Sequence, residues 1–158
     1  MQKVLTCAQM RAADEYTIRT LGVPSQELME RAGAAIAEEA EKLLGECGGK
    51  RVLAVCGGGN NGGDGWCAAQ LLHEKGIDVC VFSLSEELSA DCAAQREKYT
   101  GSRVQSFLRD ADVVIDAIFG TGFHGEPQGE YAKAIRDINE SRAKVISADI
   151  PSGLNGDS

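Results

Sequence analysis

Three short clusters carry most of the side chains that could do chemistry, each set among glycines. They are CGGGNNGGDG at 56–65, DAIFGTG at 116–122 and DIPSG at 149–153. The first holds six glycines, two asparagines and one aspartate in ten residues. Glycine loses more backbone freedom on ordering than any other residue, so this density implies that something approaches the backbone itself. An apolar run precedes the cluster and a helical pattern follows it. Strand, glycine-rich turn and helix N-terminus together offer free N–H groups to an anion such as a phosphate. A tight strand-to-helix turn without a ligand is the plain alternative. No Gly-Lys-Ser/Thr closes the turn as a Walker loop requires, and G-x-G-x-x-G fits only by forcing Gly57, Gly59 and Gly62 into it. The two amides and the carboxylate go beyond a phosphate cradle, because they can also coordinate a cation or hold a polar ligand.

The elements that position these clusters follow from periodicity. Met10, Ala13 and Leu21 predict a first helix after a Thr6 cap, ended by Gly22. Ser25 caps a second, with Leu28, Ala32, Ile36, Ala40 and Leu43 at helical spacing and a break at Gly45, Gly48 and Gly49. From there strand and helix alternate. A strand at 52–56 leads to a helix at about 63–75, and a strand at 78–83 to a helix at 87–99. A third strand at 113–116 is followed by a polar loop at 120–129, then a helix through Tyr131, Ala134 and Ile138, and a fourth strand at 144–148. Such alternation predicts an α/β protein with a mostly parallel sheet, helices on both faces and two leading helices. In sheets of that kind ligands bind outside the carboxyl ends of the strands, which is where all three clusters fall.

Composition excludes several classes. A formal net charge of −8 and a pI near 4.8 leave no basic stripe for nucleic acid. The first sixteen residues lack a signal-peptide core and no run approaches a membrane span. The six cysteines form no C-x-x-C pair, so a zinc site is not expected, and several, Cys80 among them, read as small buried hydrophobes. A reduced, cytoplasmic protein is the expectation.

With GGGNNGGDG at 57–65, DAIFGTGFHGE at 116–126 and ADIPSGLNGD at 148–157, in that order, the chain resembles the NAD(P)H-hydrate epimerases, the YjeF N-terminal domain family. GVPSQELMERAG at 22–33 is similar to that family's opening helices. The resemblance covers nearly the whole chain and implies a Rossmann-like three-layer sandwich. It also implies interconversion of the R and S forms of NADHX and NADPHX, the hydrated, damaged nicotinamide cofactors. By position, Asn60, Asn61, Gly62, Gly63 and Asp64 are implied to hold the phosphate-containing part of the substrate. Gly120, Thr121, Gly122, Phe123, His124, Gly125 and Glu126 are implied as a second binding loop, and Asp149 as the contact to the reactive end. A potassium ion is implied on Asn61, Asp116 and Ser152. The hydrated carbon is a carbinolamine, which inverts by losing and regaining its hydroxyl or by ring opening and closure. Either route needs proton transfer only, and Asp149 is the expected group.

Each residue also has an ordinary reading. Asp116 and Asp149 can cap turns, Ser152 can be a turn hydroxyl, and His124 is either a general acid or a solvated loop side chain. His73 reads as surface and Trp66 as packing. The resemblance further implies a homodimer, and fusion to, or work beside, an ADP- or ATP-dependent NAD(P)H-hydrate dehydratase. The family's domain continues beyond the third motif, so the single domain over 1–158 is expected to be incomplete at its C-terminal side, with its activity alone left open. A non-catalytic nucleotide-binding or scaffold module of the same fold is the alternative function. A nicotinamide dehydrogenase fits less well, since Phe82, Ser83, Leu84 and Ser85 close the second strand and Glu86 comes only afterwards.

Overall fold

The structure, a computed structural model, describes residues 5–156; Asp157, the last residue of the third cluster's longer motif, lies outside them. Ten elements follow in the order α1 (Cys7–Arg19), α2 (Ser25–Cys47), β1 (Arg51–Cys56), α3 (Asn60–Glu74), β2 (Asp78–Ser83), α4 (Ala90–Lys98), β3 (Ser102–Val104), β4 (Val113–Ala117), α5 (Gly129–Glu140) and β5 (Lys144–Ser147). The strands form one sheet in the order β3-β2-β1-β4-β5, and every neighbouring pair is parallel.

β1 and β4 are, with β2, inner strands, and their unbroken apolar runs follow from cover on both faces: such a parallel strand has no wet side. Val52, Leu53, Ala54 and Val55 are fully buried, as are Val113, Val114 and Ile115. On one face Val52, Ala54, Val113 and Ile115 pack with Ile36, Ala40 and Leu44 of α2 and with Trp66, Ala69 and Leu72 of α3. On the other, Leu53, Val55 and Val114 pack with Ala134 and Ile138 of α5. The expected three layers are present. Trp66 is core, edge-to-face with Tyr99 at 5.5 Å, and His73 is exposed.

Several expected boundaries move. α3 starts at Asn60, three residues before the expected 63, so both amides are helical as well. Ser25 is the first residue of α2 while Pro24 takes the cap position without a side-chain bond. α4 is shorter than 87–99 because the Ser89 hydroxyl accepts from Cys92 N–H and sets its start. β3 was not expected: its three residues are largely exposed and carry no apolar run. Cys80 is only half-buried, at the margin of the α5-side core, whereas its neighbours Val79 and Val81 are buried on the other face. α1 begins at the Thr6 capping box, as the sequence requires, yet buries only Cys7. Among the described residues no helix is long and apolar enough to cross a membrane.

Candidate functional site at the carboxyl edge of the sheet

The strand order turns at the β1–β4 junction: β2 and β3 lie to one side of it and β5 to the other. That is the topological switch point, where open α/β sheets leave a crevice. All three clusters border it. β1 runs into residues 57–59 and then α3, whose cap residue Gly59 offers no side chain to the helix N–H groups. The first intrahelical bond is from Gly63 N–H to the Gly59 carbonyl at 3.2 Å, so the N–H groups of Asn60, Asn61 and Gly62 have no helical acceptor. A helix end of this kind is suited to an anion.

Three of the glycines serve packing rather than ligand access. A side chain at Gly63 would sit 2.5 Å from Met29 Sδ, and one at Gly65 would sit 2.6 Å from Ala117 Cβ. One at Gly62 would run into the Gly57 carbonyl. The absence at Gly65 lets α3 lie directly on β1 and β4, that at Gly63 lets it approach α2, and that at Gly62 makes room for the turn. Asn60 turns outward, and its Oδ1 accepts from the Ser89 hydroxyl at 2.6 Å.

The next cluster centres on Asp116, only 5% exposed at the end of β4. Its Oδ2 accepts the Ser152 N–H at 2.8 Å, and its Oδ1 accepts the Ser152 hydroxyl at 2.5 Å. The Ser152 hydroxyl in turn accepts the Phe119 N–H at 3.0 Å. Ser147 adds a longer bond to Oδ2 at 3.4 Å. None of the described cationic side chains pairs with this buried carboxyl. A cavity of about 370 Å³ reaches it from the α5 side, with Ile138, Val145 and Pro151 in its wall.

The third group joins α3 to the loops. Asp149 Oδ2 accepts the Thr121 N–H at 2.8 Å, so the second loop orients the expected proton-transfer group. A side chain on Gly120 would lie 2.9 Å from that same oxygen and 3.5 Å from Asn61 Cβ and Cγ. Asn61 therefore meets the loop at residue 120, next to the Phe119 backbone that Ser152 holds. Its amide Nδ2 is buried without a hydrogen-bond partner. Burial first, and then the charges of Asp149 and Asp14, push the Asp64 carboxyl up to about 7. Phe123 stacks on Phe119 with ring centroids 4.1 Å apart, whereas Gly122, His124, Gly125 and Glu126 lie exposed at the tip of the loop.

Asn61, Gly120, Thr121 and Asp149 are thus brought together, as are Asp116 and Ser152, and the two groups meet at residues 119 and 120. Gly62 and Gly63 face the protein instead, and Asn60 turns outward to Ser89. Sequence reasoning passed over Ser147 and Ser89. The position of Ser147 at the end of β5, in register with Asp116, was the available signal. Ser89 could only be found through its contact with Asn60.

An orphaned buried amide and a buried carboxyl with only neutral partners suit a monovalent cation. Rotating an Asn side chain about its last bond presents Oδ1 in place of Nδ2. Asn61, Asp116 and Ser152 are chemically the hard oxygen donors such an ion takes. The residues fit the group.

Fold and site together define a doubly wound α/β protein with free N–H groups at a helix end beside a carboxylate-lined crevice. The chain matches the family model described as YjeF-related protein N-terminus over residues 25–158. It is 37% identical over 163 residues to the NAD(P)H-hydrate epimerase of Limosilactobacillus fermentum, covering 99% of this chain and 77% of that one. It is 36% identical to the bifunctional NAD(P)H-hydrate repair enzyme Nnr of Moorella thermoacetica, covering 98% of this chain and 32% of that one. The crystal structure of yeast ynu0 shares the fold, with a TM-score of 0.86 at 22% identity over 98% of this chain and 72% of that one. The chain belongs to the YjeF-related N-terminal family.

Proposed function

We propose that this protein is an NAD(P)H-hydrate epimerase, interconverting the R and S forms of hydrated NADH and NADPH. The carrying observation is the meeting of Asn61, the Thr121 backbone and Asp149 at the switch point of a chain with epimerase relatives. The free N–H groups opening α3 are suited to the pyrophosphate, which places the reactive ring toward β4 and β5, where Asp149 stands. There Asp149 accepts or returns a proton at the carbinolamine oxygen while Thr121 N–H fixes which carboxylate oxygen is turned away. The stacked Phe119 and Phe123 keep the base of the loop against the sheet and exclude water from that side.

A potassium ion would be held by Asn61, Asp116 and Ser152, and would supply fixed positive charge between the protein's carboxylates and an anionic substrate. Homodimerisation through the exposed face of α1, a cytoplasmic setting, and action beside a dehydratase complete the reading. The bifunctional Moorella relative supports the last of these.

The test is to supply R-NADHX and follow formation of S-NADHX, in potassium and in sodium buffers. Acceleration over the spontaneous rate, larger in potassium, is expected. A rate equal to the uncatalysed one in both buffers removes the enzymatic reading and leaves a binding or scaffold module of the same fold.

A further inference from the structure

We propose that Asp64 is a second catalytic residue, paired with Asp149 as acid and base on the reacting carbon. This rests on the epimerase reading and changes the role of Asp64 from phosphate contact to proton donor.

Position comes first. Asp64 follows Asn61 by three residues on α3, so the two side chains share a helix face. Asn61 meets Gly120 at the spot that also lies 2.9 Å from Asp149 Oδ2. The face carrying Asn61 and Asp64 thus fronts the junction where Asp149 is held. Asp64 belongs to the second turn, beyond the free N–H groups at 60–62 that an anion needs. A carboxylate there would repel a pyrophosphate, so nothing about phosphate binding calls for it.

Surroundings come second. The charges that bear on Asp64 are those of Asp149 and of Asp14 on α1, and its own charge reaches the thiols of Cys56, Cys67 and Cys92. None of these supplies positive charge. A half-buried carboxyl set against another carboxylate keeps its proton toward neutrality. Asp149, exposed and held through one oxygen by the Thr121 N–H, is the member placed to accept a proton from water. Environments that push two carboxyl groups apart mark which is acid and which is base.

The step balances. Asp64 gives its proton to the carbinolamine oxygen as the C–O bond breaks, and water leaves while the ring nitrogen lone pair forms C=N. Water then adds to the opposite face, giving its proton to Asp149, and the π pair returns to nitrogen. The extra proton passes from Asp149 back to Asp64, and both groups are reset without any oxidant or reductant.

The experiment is Asp64→Asn assayed with R-NADHX. The amide keeps the size and can still donate a hydrogen bond, but it has no proton to give. A fall in kcat of about 100-fold or more with KM within about threefold is expected. The wild-type pH profile should turn down near 7, and the variant should lack that limb. Independently of turnover, carbon-13 titration of the carboxyl groups should give Asp64 a midpoint near 7, shifted down in Asp149→Asn. An Asp64→Asn protein with full kcat and an unchanged profile overturns the assignment, as does an Asp64 midpoint near 4 in the wild type. Wild-type protein without epimerase activity overturns the enzymatic reading itself, and this role with it.

Discussion

Asp116 and Asp64 solve one electrostatic problem in two ways. Removing a carboxylate from water is unfavourable unless donors replace the lost hydration or the group stays neutral. Asp116 takes the first route, collecting Ser152 N–H, the Ser152 hydroxyl and Ser147. Asp116→Ala strands those donors and is expected to destabilise the fold by about 2–3 kcal/mol in thermal or urea unfolding. It should also abolish any potassium-specific rise in Tm, whereas a potassium-specific rise that survived would place the ion elsewhere. Asp64 takes the second route. Its folded-state pKa stands near 7 against an ordinary 3.8, so the native state binds more protons than the unfolded state between those values. Stability therefore falls as pH rises from about 4 to 7, then levels off. Asp64→Asn should be more stable than the wild type at pH 8 by on the order of 3 kcal/mol, with little difference at pH 4. Equal stabilities at pH 8 would contradict the raised pKa. The gain expected from removing a carboxyl at the crevice is the usual mark of a group kept for function rather than for folding.

At the scale of elements, glycine means different things along the chain. Gly45 lies inside α2 with open space where a side chain would stand, so alanine there should gain roughly 0.5–1 kcal/mol of helix propensity. Gly65 lies inside α3 with Ala117 Cβ at 2.6 Å and Cys56 Sγ at 2.7 Å from that position. Gly65→Ala gains the same propensity but forces helix and sheet apart, and the net effect should be a loss of about 1–3 kcal/mol. Chemical unfolding of both variants tests the pair, and a stabilising Gly65→Ala would mean that α3 does not sit this close to the sheet. This difference is also why the glycine cluster was only partly legible in sequence. Its place after a buried strand was plain from the run Val52 to Val55. Its division into a turn at 57–59 and a glycine-bearing helix was not, because low helix propensity hid a helix start that tertiary packing imposes at Asn60. β3 was illegible for the opposite reason: Ser102 and Arg103 are exposed, and only pairing with β2 makes them strand. Asp116 and Asp149, at the ends of apolar runs, needed nothing beyond the rule that ligands meet parallel sheets at their carboxyl edge.

For the whole molecule, the sheet separates two tasks at its switch point. The β1–α3 side presents backbone N–H groups, and the β4–β5 side presents carboxyl groups and the loop that follows β4, an arrangement that under the proposed function suits a long anionic substrate reaching across both. α1 lies outside this division. It buries only Cys7 while Met10 and Tyr16 stay 47% and 57% exposed and Leu21, just past its end, 61%, which is a large apolar display for one helix and the turn that follows it. Its buried end is nonetheless tied to the site. A side chain at Gly156 would meet Cys7 Sγ at 2.5 Å and Thr121 Cγ2 at 3.4 Å, so α1 shares a contact point with the residue whose N–H holds Asp149. If a second copy covers the apolar face, its docking braces this corner. The double variant Met10→Asp with Leu21→Asp is then expected to sediment as a monomer where the wild type sediments as a dimer. It should remain folded, since both side chains are solvent-exposed in the single chain. A wild type that is monomeric at its highest soluble concentration would show that α1 serves some other surface. An unaltered kcat in the monomeric variant would show that bracing through Thr121 does not reach Asp149.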